Sequence, residues 1–286
     1  MQTIDLHTHS TASDGTFTPT ELVSYAAKKN LAAIALTDHD TLDGIAEARE
    51  AGEKFGVKVI NGAEFSTMYD KISLHIIGLF LPENAEDIKN KLEYMKNARE
   101  RRNLKMLENL RELGIDISIE ELKAQFPVSI ISRAHIAQLL QQKGYVGSKN
   151  EAFDRYIGSR CRAYVEKESL SPKETIELIK NAGGVAVWAH PILCRVSDTV
   201  LDKITAELKG FGLDAIEVHY PAYTASETKF VKFLADKYSL AHSGGSDFHG
   251  SIKPGLDLGT GYGSLSIPYE ILEKLEKLRS DMNVGQ

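Results

Sequence analysis

The sequence predicts an α/β protein in which strands and helices alternate as a parallel sheet or barrel with helices outside, interrupted once by an inserted helical segment. Three observations carry this. Short apolar strands recur between amphipathic helices up to about residue 80 and again from about residue 171. The stretch between them reads as helix throughout. Most residues able to do chemistry stand just after a predicted strand, and a parallel barrel gathers its active groups at that carboxyl-end face.

With 286 residues, 42% hydrophobic and 26% charged, the chain is long enough for one large α/β domain or a barrel carrying an insertion. No apolar run approaches the roughly 20 residues that cross a bilayer, so no membrane partner is expected. The opening residues show no basic region, apolar stretch or small-residue cleavage site, and a cytoplasmic location is expected. Cys161 and Cys194 belong to no C-x-x-C pair and are expected to be reduced. The net charge of −6 argues against a general nucleic-acid coat protein, and stable binding of duplex nucleic acid is not expected.

In order, the first strand runs into Asp5-Leu6-His7-Thr8-His9-Ser10, with Asp14-Gly15 on the turn beyond. Side chains alternate along a strand, so His7 and His9 project together and can grip one ion. Thr18-Pro19-Thr20-Glu21 opens a helix with a cap and an N1 proline. The buried strand 31–36 leads into Thr37-Asp38-His39-Asp40. A helix over about 42–55, stopped by Gly56, precedes strand 57–60 and then Gly62-Ala63-Glu64. Strand 72–80 follows, with His75 inside it, where periodicity alone reads as core.

From about 85 to 164 the pattern is helical: an amphipathic segment stopped by Gly114, a capping box at Ser118 and Glu121, a helix from Ser132 to Lys143, and another ending near Gly158. Residues 85–164 are read as an inserted substrate-capping domain, and 1–84 with 165–286 as the barrel. Residues 83–165 hold 15 Lys/Arg against 12 Asp/Glu, a net of +3, leaving −9 for the remainder. A basic insertion suits an anionic substrate.

The α/β rhythm resumes with the helix start Ser171-Pro172-Lys173-Glu174. Strand 185–189 then delivers His190, strand 213–218 delivers His219, and Ser243-Gly244-Gly245-Ser246 presents Asp247 and His249. His219 follows a strand without an assigned role, and Trp188 reads as core. A helix from about Pro268 ends the chain.

These motifs, from Asp5-Leu-His7-Thr-His9 through Asp38-His39, Gly62-Ala-Glu64, His75 and Ala189-His190-Pro191 to Ser246-Asp247-Phe-His249, resemble those of the polymerase and histidinol phosphatase (PHP) superfamily, in its order. The resemblance implies a distorted (β/α)7 TIM-like barrel with up to three divalent ions at its mouth, manganese first and iron or zinc as alternatives. It implies that His7, His9, Glu64 and Asp247 bind one ion, Glu64, His75 and His190 a second, and Asp14, His39 and His249 a third. Glu64, Asp247 and His249 are thereby candidate catalytic residues.

The insertion and the segment Ser132-Arg133-Ala134-His135 resemble the branch of nucleoside 3′,5′-bisphosphate phosphatases and 5′→3′ exoribonucleases. The implied activity is hydrolysis of a phosphate monoester of a nucleotide or nucleoside bisphosphate by a metal-bridging hydroxide. The alternatives are exonuclease action on short RNA and a non-catalytic module that binds metal or nucleotide. Arg133 at a predicted helix start, His135 two residues on, and Arg160 are the candidate contacts to a small phosphorylated substrate. Asp38 and Asp40 are expected to orient imidazoles.

Overall fold

The computed structural model describes residues 2–126, 131–166 and 168–284. Two compact units emerge, one formed by residues 1–90 with 170–286 and the other by 91–169.

In the first unit the strands are β1 (Thr3–Thr8), β2 (Leu31–Leu36), β3 (Lys58–Tyr69), β4 (Ile72–Leu79), β5 (Val185–Ala189), β6 (Ala215–His219), β7 (Ala241–Gly244) and the short β8 (Ile267–Pro268). Among the described residues they form one sheet in the order β7-β6-β5-β4-β3-β2-β1-β8. Strands β1, β2 and β3 run parallel, as do β5, β6 and β7, while β4 runs antiparallel to both β3 and β5. The segment beyond β7 returns to β1, where Asp247 N–H donates to His7 O and His9 N–H to Phe248 O, each at 2.9 Å. The sheet thus nearly closes, giving the distorted TIM-like barrel the sequence implies, with its irregularity at β4.

Helices α1 (Pro19–Lys28), α2 (Ile45–Phe55), α7 (Pro172–Asn181), α8 (Asp198–Gly210), α9 (Ala225–Lys237) and α10 (Glu270–Val284) belong to this unit. Reciprocal capping boxes start α1 at Thr18, α7 at Ser171 and α9 at Thr224, each cap stabilising its helix by about 1 kcal/mol. The left-handed Gly56 ends α2. Strand residues are apolar on both faces. Ala33 and Ala35 join Ile4, Leu6, Val187 and Leu275 in one cluster, while Ile34 and Leu36 pack with Leu22, Val23 and Ala48 of α1 and α2 in another. That two-sided burial is why these strands read as continuous apolar runs instead of alternating ones. Trp188 is fully buried in β5, as a core residue should be.

The expected strand over 57–60 is part of a longer one. Residues 62–69 pair antiparallel with β4, which extends β3 through Glu64, so Glu64 stands within a strand and not after one. The reversal of β4 also explains His75. Its partners are Ser66 and Ala189, so the N-terminal half of β4 lies beside the C-terminal end of β5.

The second unit holds most of α3 (Glu86–Glu112), then α4 (Ile119–Gln125), α5 (Arg133–Gln142) and α6 (Lys149–Ala152), the last continuing into a π-turn over Phe153–Ile157. Met106 and Leu110 of α3, Leu122 of α4, and Ile136 and Leu140 of α5 close its own core.

Close approach fixes the loop after β7. A Cβ on Gly245 would lie 2.2 Å from His7 Cβ and 2.5 Å from His7 N, which no side chain tolerates. Gly245→Ala should therefore lower the unfolding free energy by roughly 2–3 kcal/mol, read from the urea midpoint. An unchanged midpoint would show that the loop and β1 are not in such contact.

Candidate metal centre

Glu64 is the hub of the site. Its side chain is 1% exposed, and Oε1 lies 2.8 Å from both His75 Nδ1 and His190 Nε2. Oε2 lies 3.2 Å from His7 Nε2, 3.3 Å from His9 Nε2 and 3.2 Å from His39 Nδ1. One buried carboxylate therefore meets five imidazoles. Burial would push its pKa up, but the charges of His39, His75 and His7 and the hydrogen bond from His190 hold it well below the ordinary range.

Asp247 extends the cluster. Its Oδ1 lies 3.6 Å from His7 Nε2, and 3.3 Å from both His9 Nε2 and His249 Nδ1. On the open side Asp14 Oδ1 lies 3.3 Å from His249 Nε2 and 3.8 Å from His9 Nδ1. All nine residues expected as ligands are thus brought together. Among the described residues their donor atoms form four overlapping groups, each within 4.8 Å: His9/Asp14/His39/His249, His7/Glu64/His190, His7/His9/Asp247 and His39/Glu64/His75.

The donor set fits divalent cations on grounds internal to the structure. His9 Nδ1, His39 Nδ1 and Glu64 Oε2 are buried without a hydrogen-bond partner among the described residues. Such atoms are costly unless something electropositive meets them. The ring nitrogens of His7 and His9 face each other at 3.1 Å, an arrangement that imidazoles aimed at a common cation adopt. Burial pushes His39 down to about 4, leaving a neutral ring with a lone pair to give. Mixed imidazole and carboxylate donors suit first-row divalent metals.

Residues that sequence reading missed hold the donors in place. Glu217, 1% exposed on β6, has Oε1 3.0 Å from His7 Nδ1 and accepts the His190 N–H on Oε2 at 2.8 Å. A proton held on His7 Nδ1 leaves Nε2 aimed at Glu64, the carboxylate–histidine arrangement that tunes metal ligands. The one signal for it was a lone acid inside an apolar strand. Asp5, fully buried and pushed by burial up to about 6, accepts hydrogen bonds from Ser246 and Gly259 and so ties the Asp247 loop to β1. Tyr220 Oη and Lys253 Nζ both donate to Asp247 Oδ2.

Asp38 does not orient an imidazole as expected. It accepts Ser10 N–H at 2.7 Å and the Ser10 and Ser13 hydroxyls at 2.6 Å, pinning the turn that presents Asp14. Asp40 accepts the Ser66 N–H at 2.9 Å. His190 and Asp247 sit in the left-handed backbone region, with φ of 31° and 56°. Such conformations cost about 1–3 kcal/mol each and persist where surrounding structure imposes them.

The three expected substrate contacts lie in the helical unit. Arg133 is the first residue of α5, and its guanidinium covers the Phe153 and Tyr164 rings at 5.8 and 5.4 Å. His135 uses Nδ1 to cap the helix, accepting Ser132 N–H at 3.1 Å. Arg160 is exposed. His219 faces His242, ring centroids 6.3 Å apart, and joins none of the four donor groups.

The protonation balance gives a pH signature. Burial alone would depress His9, but the carboxylates of Asp247 and Glu64, each 3.3 Å from its Nε2, lift it to about 9, against an ordinary 6.5. That protonation contributes stability that is complete below pH 6.5 and lost as pH rises through about 9. Glu64 and Asp247, both held low, contribute stability that is present above their ordinary range and lost as pH falls below it. The chelated chain should therefore show its highest Tm between about pH 5 and 6.5, then fall toward pH 9. Added Mn²⁺ should flatten that fall, because deprotonated ligands favour the metal. A chelated chain whose Tm is level or rising over this interval would contradict the assignment of His9.

Comparison with known proteins gives a consistent result. Residues 5–190 match the PHP domain family. A 5′-3′ exoribonuclease of Haemophilus influenzae is 36% identical over 245 residues, covering 86% of this chain and 89% of that one. A 3′,5′-nucleoside bisphosphate phosphatase of Chromobacterium violaceum is 32% identical over 267 residues, covering 91% of each. A solved structure from Bifidobacterium adolescentis, described as a metal-dependent phosphoesterase, superposes with a TM-score of 0.77 at 31% identity, covering 97% of this chain and 96% of that one.

Proposed function

This chain belongs to the PHP domain family and is a metal-dependent hydrolase of phosphate esters, and on that premise we propose that its substrate is a nucleotide or nucleoside 3′,5′-bisphosphate, from which it removes one phosphate. The observation that carries the reading is the convergence of five imidazoles on the buried Glu64 carboxylate, with Asp247 beside them. His7, His9, Glu64 and Asp247 would hold one ion, Glu64, His75 and His190 a second, and Asp14, His39 and His249 a third. Manganese is the first choice, with iron or zinc as alternatives.

Clustered divalent ions supply an acidified water and neutralise the oxygens of the transferred phosphoryl group. The chain's own part is positional and electrostatic. Glu217 keeps the His7 proton on Nδ1, and Asp38 fixes the turn carrying Asp14. Lys253, one-third exposed and donating to Asp247, places an ammonium beside the cluster where an anionic substrate gains from it. Arg133, His135 and Arg160 are the proposed grip on the remainder of the substrate.

A second reading has its own support, since the Haemophilus relative is named a 5′-3′ exoribonuclease. The two separate in one assay. Adenosine 5′-phosphate, adenosine 3′,5′-bisphosphate and a 5′-phosphorylated RNA trimer are offered with Mn²⁺ and after chelation. The phosphatase reading predicts Mn²⁺-dependent phosphate release from the mononucleotides, abolished by chelation and reduced roughly a thousandfold by Asp247→Ala. Release of mononucleotides from the trimer alone would favour the exonuclease, and full activity of Asp247→Ala would remove that carboxylate from the chemistry.

A further inference from the structure

The helical unit contains a cavity of about 280 Å³ lined by Arg99, Arg102, Ser132, Arg133, Ala134 and Phe153. Arg102 and Arg133 bring two guanidinium groups to this one small cavity, and a counter-anion between them would relieve their repulsion. Arg102 states the problem most sharply. It is 8% exposed, its Nη2 donates to Asn103 Oδ1 at 2.7 Å, and its Nε has no hydrogen-bond partner among the described residues. Burial, and then the charges of Arg133 and Arg99, push its pKa down to about 10. It nonetheless stays charged at neutral pH.

The rest of the cavity points the same way. Arg133 and Ala134 open α5, a helix of 10 residues with no acidic side chain in its first turn. The His135 N–H is taken by Ser132, while the Arg133 and Ala134 N–H groups lie beyond the helix's own hydrogen-bond ladder, at this helix start without a local carboxylate. Asn103 Nδ2 donates to Ile131 O at 2.8 Å, holding α3 against the residue that leads into α5 and so fixing Arg102 relative to that helix start. The Arg133 guanidinium, stacked on Phe153 and Tyr164, is oriented by these rings, and among the described residues its hydrogen bonding is a long 3.5 Å contact to Ile157 O. Its donors are therefore little engaged.

We propose that this cavity is a phosphate-binding site built into the helical unit, in which Arg102 Nε, the Arg133 guanidinium and the first turn of α5 take the oxygens of one phosphate group. Arg102 is the new element, since nothing in its local sequence separates it from its solvated neighbours. The site shares Arg133 with the substrate contacts proposed above, but it requires neither metal nor turnover.

The test uses the full chain after chelation, so that no phosphate is held by metal ions and failure of the hydrolytic reading does not touch the result; the Arg102 variants separate binding in the helical unit from binding elsewhere. Inorganic phosphate and adenosine 5′-phosphate are titrated calorimetrically into the native chain, Arg102→Met and Arg102→Lys. The native chain should bind, Arg102→Met should lose roughly tenfold or more in affinity, and Arg102→Lys should fall between. Tighter binding of the nucleotide assigns the site to a nucleotide's phosphate, and equal binding assigns it to the free ion.

Thermal unfolding supplies the second readout. In phosphate-free buffer Arg102→Met should unfold no lower than the native chain, because an apolar side chain replaces an unpaired buried charge. Phosphate should raise the native Tm but not that of the variant. Equal phosphate affinity in the native chain and Arg102→Met would overturn the proposal, as would a lower Tm for Arg102→Met in phosphate-free buffer, which would make Arg102 a structural residue.

Discussion

Everything in the barrel unit is arranged around one electrostatic constraint: a carboxylate, Glu64, held at 1% exposure among five histidines. A charge removed from water to that degree persists only when opposite charge meets it. Without metal His7, His9 and His75 supply it by taking up protons, which is why these three are lifted and Glu64 is held low. With metal the same atoms turn their lone pairs inward and the ions supply the charge. The cluster is poised between these two ways of neutralising one buried acid.

The fold serves that constraint by bringing strand ends to a single mouth. Parallel strands deliver His7, His9, His39 and His190 in the usual manner of such barrels. His75 cannot arrive that way, and the reversal of β4 brings it in by its N-terminal half. Asp247 arrives on a loop whose Gly245 touches His7 and whose Ser246 is bound by Asp5, at the cost of a left-handed backbone at Asp247 itself. Local strain is thereby traded for position, as is common where geometry serves chemistry.

Much of this was legible from residues alone. Histidines placed after strands announced the cluster, because the alternation of strand and helix fixes which ends share a mouth. Capping boxes at Thr18, Ser118 and Ser171 stand where the sequence put them. What escaped reading depended on pairing between distant strands. Nothing local shows that β4 is reversed, and so His75 looked like core and Glu64 seemed to follow a strand that in fact continues through it. Glu217 and Asp38 escaped for a related reason. A buried acid reveals that it has a partner but not which one, and the partner of Glu217 is 210 residues away. Arg102 lay hidden in a run of basic residues on a long helix, where burial alone singles it out.

The central claim is that the buried carboxylate and its histidines exist to be met by cations. Anomalous X-ray scattering from crystals of the full chain grown with Mn²⁺ tests it most directly. The account predicts strong anomalous peaks among His7, His9, Glu64 and Asp247, with further peaks beside His75 and His190 and beside Asp14, His39 and His249. A well-ordered cluster that shows no anomalous peak in saturating Mn²⁺, Fe²⁺ or Zn²⁺ would contradict it, leaving proton sharing among the histidines as the whole explanation of the buried acid.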